Sequence, residues 1–396
     1  MLVYTYYGDP WKLKSGDHVR IHAICKALGR VDGKVIVYDL SHLVDQYMLT
    51  YEDGVIYVNI PRRIYGVLSK IVRWENKEDL NVLIKLTHYI DEFLTTIKLA
   101  KELKCSKVAY VFGSMTLYSF FAQMLGFKGV FVYDPLANYA QTLHLRSRKD
   151  LKELLKYGLY LVLHKLQLKS SNYMVYPSNH DLKNAVQMFK LNPNKAFLIP
   201  NPYPICYESI DEYEALRKHR RNFDIPYFIL LAGGRGRGNE EAVKLSIEVF
   251  NELPSNRFRL FITGPWRGME RYVKNPAIKI LGIVHHDKIK KMLAMADYGL
   301  APIFSHAAGT FLKVLAYIAA GLNIIASPYA VQGVNTEFTN VILVQDVKEY
   351  KDVVRWAIEA YPVGKRKTIT CKPVLCSSAY KDLETHLENF LSYLHV

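Results

Sequence analysis

The residues best suited to chemistry lie at 305–327, where a run of small residues separates a strand from a helix. Gly309 and Thr310 stand where the helix begins, so free backbone N–H groups and the helix dipole would attract an anion there. Lys313 lies one turn later and can add a point charge to a phosphate. The pattern predicts a phosphate-binding turn; an ordinary helix cap followed by a solvated lysine is the alternative.

A second candidate anion site is the glycine- and arginine-rich turn at 232–241, which follows an apolar strand and precedes a helix. Arg235 and Arg237 can each grip a diphosphate with two hydrogen bonds. The glycine spacing is loosely that of a dinucleotide-binding turn, but no acidic residue follows at the offset that a nicotinamide dinucleotide requires. The turn is therefore predicted to hold a diphosphate rather than such a cofactor.

The first strand of the chain leads into a third turn of this kind. Gly16 and Asp17 end the turn and would place backbone amides at the carboxyl end of the strand, while His18 and Arg20 begin the next helix. His18 is a candidate catalytic residue, although a lone histidine is more often structural. Asp134 ends a later strand and is a candidate for acceptor contact or acid–base work, with a turn residue before Pro135 as the alternative.

Alternating apolar strands and amphipathic helices position these turns, which is typical of βαβ units around parallel sheets. One series of strands runs from residue 2 to 177 and a second from 227 to 327, with a proline-rich stretch at 199–204 between them. Ligands of such sheets bind at the carboxyl ends of the strands. We expect two Rossmann-like, doubly wound domains and a final amphipathic helix, with boundaries at 1–203, 204–377 and 378–396.

Composition narrows the class of protein. Half of the 396 residues are hydrophobic and 22% are charged, which excludes a disordered or low-complexity chain. The five cysteines are few, odd in number and scattered, so neither a disulfide framework nor a structural zinc site is expected. The chain shows neither a signal peptide nor an apolar run long enough to cross a bilayer. We therefore expect a cytoplasmic protein, either soluble or peripheral to a membrane.

The net charge of +15 points to an anionic partner, although a generally basic surface is the alternative. Residues 101–200 hold 14 Lys and Arg against 5 Asp and Glu. Within them, the segment 141–170 interleaves seven basic residues with leucines, which suits anionic lipid heads or a lipid-phosphate acceptor; these leucines could equally be core. No nucleic-acid-binding motif accompanies the charge, so a nucleic-acid partner is not expected.

Taken in order along the chain, these segments resemble the family-4 glycosyltransferases, the retaining enzymes of the GT-B fold known as glycosyl transferases group 1. The resemblance covers nearly the whole chain. It is carried by Ser15-Gly16-Asp17 with Arg20, VYPS, IPNP, GGRGR, LFITG with Gly264, LGIV with Gly282, ADYGLAP, GTFLKVLAYIAAG and NIIAS.

The resemblance implies a nucleotide-sugar donor in the C-terminal domain, an acceptor in the N-terminal domain, and a last helix that crosses back to the N-terminal domain. Neither a metal ion nor a cofactor is implied. The acceptor class stays open between a glycan and a lipid-phosphate-linked molecule. The donor diphosphate would meet Gly16, Arg235, Arg237, Gly309, Thr310 and Lys313. The nucleotide and sugar would meet Gly264, Ile283, Val284 and His306.

The chain departs from the family pattern at two positions. The two glutamates of the last motif fall on Ala308 and Ala316, and the second of them is usually the ligand of the ribose. Asp134 also stands where the family often has a histidine. The two alanines support an alternative interpretation, in which the protein is a glycosyltransferase-like binding protein with weakened or lost turnover.

Overall fold

The structure of the protein is a computed structural model. It describes residues 2–5, 16–32, 35–39, 48–52, 55–59, 90, 92–97, 107–113, 117–136, 151–220, 224–234, 236–305, 311–334, 340–361 and 372–394. Internal contacts divide the chain into two compact units. The N-terminal unit comprises Met1–Leu13, Asp17–Pro200 and Leu383–Val396, and the C-terminal unit comprises Lys14–Gly16 and Asn201–Asp382.

The N-terminal unit is built on an eight-stranded sheet in the order β3-β4-β2-β1-β5-β6-β7-β8. Its strands are parallel except β3, which pairs antiparallel with β4. The buried strands are rich in valine and tyrosine, as expected for parallel strands that are covered on both faces. The strands are β1 Leu2–Thr5, β2 Val35–Asp39, β3 Met48–Glu52, β4 Val55–Asn59, β5 Val108–Phe112, β6 Val130–Asp134, β7 Tyr173–Tyr176 and β8 Ala196–Leu198.

Amphipathic helices connect these strands. Their apolar faces pack on the sheet, around a core that includes Phe131, Tyr133 and Met174. A helical stretch at 92–97 lies before β5. The other helices are α1 Gly16–Asp32, α2 Tyr118–Met124, α3 Leu151–Lys169 and α4 Asn179–Phe189.

The C-terminal unit is built on a six-stranded, fully parallel sheet in the order β11-β10-β9-β12-β13-β14. The strands are β9 Tyr227–Leu231, β10 Arg259–Thr263, β11 Ile278–Gly282, β12 Tyr298–Ala301, β13 Asn323–Ala326 and β14 Val341–Leu343. The helices are α5 Ile210–Arg217, α6 Arg237–Asn251, α7 His286–Met295, α8 Leu312–Ala319, α9 Val347–Glu359 and α10 Cys376–Ala379. One hydrophobic core joins the sheet to these helices.

The last helix, α11 Lys381–Tyr393, packs on the N-terminal unit. The rings of Phe390 and Tyr393 contact Phe197 of β8, each with a centroid distance of 4.9 Å. The Tyr393 hydroxyl also donates to the backbone oxygen of Asn194 at 3.3 Å. This is the return of the chain that the sequence led us to expect. None of the helices among the described residues is long and apolar enough to cross a membrane.

The sequence predicts no disulfide framework, but the structure contains one disulfide that the cysteine spacing does not indicate. Cys206 and Cys376 are bonded, across a sequence separation of 170 residues. Tyr207 and Leu375 form a parallel β-bridge that brings the two segments together. It sets the cysteine Cα atoms 4.9 Å apart, within the range that a disulfide needs. Cys25 is buried and unbonded.

This disulfide is expected to stabilise the C-terminal unit, because closing so long a loop restricts the unfolded chain. Cys206→Ala and Cys376→Ala should each lower the free energy of unfolding by roughly 2–5 kcal/mol, and the double variant by no more than either single variant. Denaturation of wild type with and without reductant, beside Cys25→Ala, measures the effect. Additive losses in the double variant, or a wild type that reductant leaves unchanged, would show that the bond does not form.

Candidate functional site

The C-terminal sheet reverses its strand order between β9 and β12. Strands β10 and β11 extend to one side of β9, and β13 and β14 extend to the other side of β12. The ladder between the two central strands holds only two residue pairs, Tyr298 with Phe228 and Gly299 with Ile229. Such a switch point opens a crevice at the carboxyl ends of parallel strands, where ligands of this sheet type bind.

The hydroxyl of Tyr317 bridges the two strands where their ladder ends. It accepts a hydrogen bond from the backbone N–H of Leu231 at 2.8 Å and donates one to the backbone oxygen of Leu300 at 3.1 Å. The side chain of Tyr317 extends from α8 and is fully buried. A Cβ at position 299 would lie 2.3 Å from the Tyr317 ring, so only glycine fits there. The parting of the strands and the position of α8 are therefore set by one side chain.

Close backbone packing fixes the turn after β9. Gly264 follows β10 with a φ of +114°, and a Cβ there would lie 1.9 Å from the backbone oxygen of Ala232. The indole N–H of Trp266 donates to the same oxygen at 2.7 Å. The Gly264 N–H donates to the backbone oxygen of Gly282 at 2.7 Å. Gly264 thus joins the ends of three strands by letting their backbones approach closely.

Lys313 lies on the first turn of α8, one helical turn before Tyr317. Its ammonium donates to the side-chain oxygen of Asn239 at 2.5 Å, and the Asn239 amide donates to the backbone oxygen of Gly234 at 2.9 Å. In the part of the chain that the structure describes, no carboxylate forms an ion pair with Lys313. Burial lowers the pKa of Lys313 to about 7. The turn after β9 and the start of α8 therefore share a partly buried amine that has no anionic partner among the described residues.

The residue at position 316 is one reason why Lys313 has no carboxylate partner among the described residues. Residues three apart on a helix are neighbours on its surface, so a glutamate at position 316 would stand beside Lys313. The chain has a methyl group there, and it is buried in the core of the unit. The cation at Lys313 therefore lacks the carboxylate that the resemblance would place next to it.

Glu241 holds the chain that leaves β12. Its two carboxylate oxygens accept hydrogen bonds from the backbone N–H groups of Phe304, at 3.3 Å, and Ser305, at 3.0 Å. Nearby, a Cβ at position 238 would lie 3.0 Å from the side chain of Ile303. The first turns of α6 therefore fix the segment that leads into 306–310. Sequence reasoning missed Glu241, although it ends the motif GGRGRGNEE, because a carboxylate that binds backbone amides has no spacing pattern.

The remaining predicted donor residues lie at the same edge of the sheet or outside the described residues. Arg237 is exposed at the first residue of α6. After β11, Ile283 is 84% exposed and Val284 is partly buried. The predicted residues that lie outside the described residues are Arg235, His306, Gly309 and Thr310.

In the N-terminal unit, Asp134 is the last residue of β6 and lies in a buried ion pair. Its side chain is fully buried, and Oδ2 accepts from Arg20 at 2.7 and 3.1 Å and from the Tyr110 hydroxyl at 3.1 Å. The other oxygen accepts from the backbone N–H of Leu136 at 2.9 Å. Both carboxylate oxygens of Asp134 are thus hydrogen-bonded within the unit, as a turn residue before Pro135 would be.

Arg20 extends this network to the end of the N-terminal unit. Its Nη1 donates to the backbone oxygens of Ile199 at 2.9 Å and Pro200 at 3.2 Å. The guanidinium therefore ties α1 to β6 and to the residues that follow β8. Gly16 is the first residue of α1, and His18 lies in the same helix with its side chain outside the described residues.

The described residues hold no group of three His, Cys, Asp or Glu side chains that could bind a metal ion. The cationic and amide groups at the switch point can instead receive an anion. A diphosphate bound there would place negative charge beside Lys313, where no carboxylate of the described residues does so.

Comparison with known protein families finds a match within the C-terminal unit. Residues 227–360, which begin with β9 and end just after α9, match the family model described as Glycosyl transferases group 1. This part of the C-terminal unit is therefore similar to the group 1 glycosyltransferases. No curated protein sequence matches the chain significantly.

Solved structures similar to the whole chain include two synthases and one glycosyltransferase. The α,α-trehalose-phosphate synthase (UDP-forming) of Burkholderia xenovorans is 11% identical with a TM-score of 0.68, over 100% of this chain and 99% of that one. The glycosyltransferase WaaG of lipopolysaccharide biosynthesis is 15% identical with a TM-score of 0.64, over 99% and 95%. The sucrose-phosphate synthase of Thermosynechococcus elongatus is 13% identical with a TM-score of 0.64, over 98% and 94%. At these identities the likeness shows the fold, and the predicted GT-B fold is confirmed.

The bridge made by Tyr317 is expected to matter for ligand binding as well as for stability. Tyr317→Phe leaves a buried N–H and a buried carbonyl unpaired, so the free energy of unfolding should fall by about 2–3 kcal/mol. The start of α8 should shift with it and weaken binding of nucleoside diphosphates, measured by calorimetry.

Tyr350→Phe is the matched control. Tyr350 is another fully buried tyrosine of this unit, and its hydroxyl hydrogen-bonds the side chain of Ser246 at 3.0 Å. Its loss should cost about 1 kcal/mol and leave nucleotide affinity unchanged. Equal effects of the two variants on nucleotide affinity would show that the bridge only stabilises the fold.

Proposed function

We propose that the protein transfers a sugar from a nucleotide-sugar donor to an acceptor, with Lys313 receiving the diphosphate of the donor. The observation that carries this proposal is the partly buried amine of Lys313, which has no carboxylate partner among the described residues and lies at the switch point of the region that matches the group 1 glycosyltransferases. An anion bound there would stabilise the charged form of the amine and relieve the imbalance.

Sugar transfer requires stabilisation of the leaving group. As the bond between the sugar and the diphosphate breaks, negative charge develops on the leaving phosphate oxygen. A fixed cation and backbone N–H groups at the start of a helix stabilise that charge in the transition state. Lys313 supplies the cation. The resemblance assigns the same task to Gly16, Arg235, Arg237, Gly309 and Thr310, and assigns transfer with retention of configuration.

The residues proposed for the other donor contacts lie at or near the carboxyl ends of the strands of the C-terminal sheet. Ile283 is exposed after β11 and can cover an apolar face of the nucleobase, with Val284 beside it. Gly264 acts through the backbone, since its close packing fixes the strand ends below the donor. His306 is proposed for the sugar end. The N-terminal unit takes the acceptor, a glycan or a lipid-phosphate-linked molecule, and the protein acts in the cytoplasm or at the cytoplasmic face of a membrane.

A second function, binding of a nucleotide-sugar without transfer, is favoured by Ala316. A carboxylate at this position could accept two hydrogen bonds from ribose hydroxyls, and a methyl group can accept none. The two functions differ in one result, because a binding protein would be stabilised by the donor and release no free nucleotide from it.

The first test is a thermal-shift screen of UDP-, GDP- and ADP-sugars followed by an assay for released nucleoside diphosphate. UDP-sugars are tried first because the similar trehalose-phosphate synthase is UDP-forming. A ligand at 100 times its dissociation constant should stabilise the protein by about 2.7 kcal/mol. Stabilisation with release of nucleotide supports transfer, stabilisation alone supports the binding function, and no stabilisation by any donor contradicts both.

Lys313→Met should weaken binding of a nucleoside diphosphate by about 1.5–3 kcal/mol, the contribution of one charged hydrogen bond, and leave nucleoside binding unchanged. Lys348→Met, at an exposed lysine on α9, is the control. The unliganded Lys313→Met protein should be no less stable than wild type, because burial disfavours the charged amine. Equal losses for nucleoside and diphosphate would place the diphosphate elsewhere.

A further inference from the structure

The outward face of α3 is apolar over two turns. Leu155, Leu159 and Val162 are 69%, 46% and 58% exposed, at a spacing of four and three residues that places them on one face of the helix. Leu154 beside them is 48% exposed. Single exposed apolar residues are ordinary on protein surfaces, but a row of them along one helix indicates a contact surface.

The opposite face of α3 is firmly packed, so the outward face is not available to the core. Tyr160 is buried and its ring stacks on that of His164 at a centroid distance of 5.1 Å. The His164 ring in turn packs on Phe189 of α4 at 4.8 Å, and its Nδ1 lies 3.2 Å from the hydroxyl of Tyr133 in β6. These contacts fix the rotation of the helix. The sequence did not decide whether the leucines of this segment lie in the core or at the surface. The structure places Leu154, Leu155 and Leu159 at the surface.

Basic residues accompany this apolar row. Lys165 and Lys169 are exposed and continue the same face towards the end of α3. The segment 141–170 contains seven Lys and Arg against two Asp and Glu. A second copy docked on this face would bring its own Lys165 and Lys169 towards these two lysines, which like-charge repulsion disfavours. The lysines are complementary to an anionic surface, and the apolar row is complementary to an apolar layer beneath it.

We propose that the outward face of α3 docks on an anionic lipid bilayer, with Leu155, Leu159 and Val162 entering the boundary between headgroups and acyl chains and the lysines meeting the headgroups. A helix with this distribution lies in the plane of the interface and does not cross it. Docking is independent of the donor chemistry. The consequence that the acceptor is a lipid-linked molecule rests on the proposed function.

The experiment is co-sedimentation of the full chain with vesicles of phosphatidylcholine, with and without phosphatidylglycerol, at low and high salt. Wild type should bind the anionic vesicles, with binding reduced by salt. The double variant Leu155→Asn/Leu159→Asn should bind at least about tenfold more weakly, because the apolar surface of these two side chains is no longer buried in the bilayer. Lys165→Gln/Lys169→Gln should bind about 25-fold more weakly, at about fivefold for each lysine.

Leu343→Asn/Val347→Asn is the matched control, since it removes two comparably exposed apolar side chains from the C-terminal unit. It should bind vesicles as wild type does. Thermal unfolding checks that each variant is folded. Equal binding of wild type to neutral and anionic vesicles, wild-type binding by the α3 variants, or an α3-dependent dimer without vesicle binding would each overturn the proposal.

Binding of UDP-, GDP- and ADP-sugars, measured without vesicles, separates this proposal from the proposed function. The α3 variants should bind donor as wild type does. Donor binding without vesicle binding overturns docking and leaves the proposed function standing. Vesicle binding without donor binding supports docking and contradicts the proposed function.

Discussion

One hydroxyl group controls the geometry of the candidate site. Parallel strands β9 and β12 part after two residue pairs, and the Tyr317 hydroxyl satisfies one backbone group from each of them. Buried backbone groups rarely stay unpaired, so the strands can open here only because this side chain enters between them. Gly299 provides the space for the ring, and α8 must lie where the tyrosine can reach. The position of Lys313, one turn earlier on that helix, follows from this packing.

In the described part of the site, hydrogen bonds hold the backbone on both sides of the switch point, and the amine of Lys313 has no carboxylate partner. Glu241 holds the backbone of Phe304 and Ser305. Asn239 links Lys313 to the turn after β9, while Ala316 leaves the amine without a neighbouring carboxylate. Burial lowers the pKa of the amine to about 7, so a neutral amine becomes a cation when an anion arrives. This arrangement favours a ligand whose charge is concentrated in a diphosphate. It also makes binding of that ligand depend on pH.

Much of this fold could be predicted from the sequence, because apolar strands and amphipathic helices leave a local pattern. The strands β9 to β13 and the helix α8 lie where that pattern predicts them. Pairings between distant residues leave no such pattern. The disulfide joins Cys206 to Cys376, and Asp134 meets Arg20 across 114 residues. Neither pairing was predicted, and Asp134 was considered by itself as a candidate for acceptor contact or acid–base chemistry. The role of Tyr317 could not be predicted either, because it depends on hydrogen bonds to two strands that lie 86 and 17 residues away in the sequence.

The central claim is that the donor diphosphate charges Lys313, and proton uptake on binding tests it most directly. The measurement is calorimetry of the tightest-binding nucleoside diphosphate at about pH 8 in buffers of different ionisation enthalpy, when Lys313 is mostly neutral and the phosphates are fully ionised. Wild type is predicted to take up close to one proton, and Lys313→Arg to bind without uptake, because arginine is always charged. Binding by wild type without proton uptake, or equal uptake by Lys313→Arg, would contradict the account.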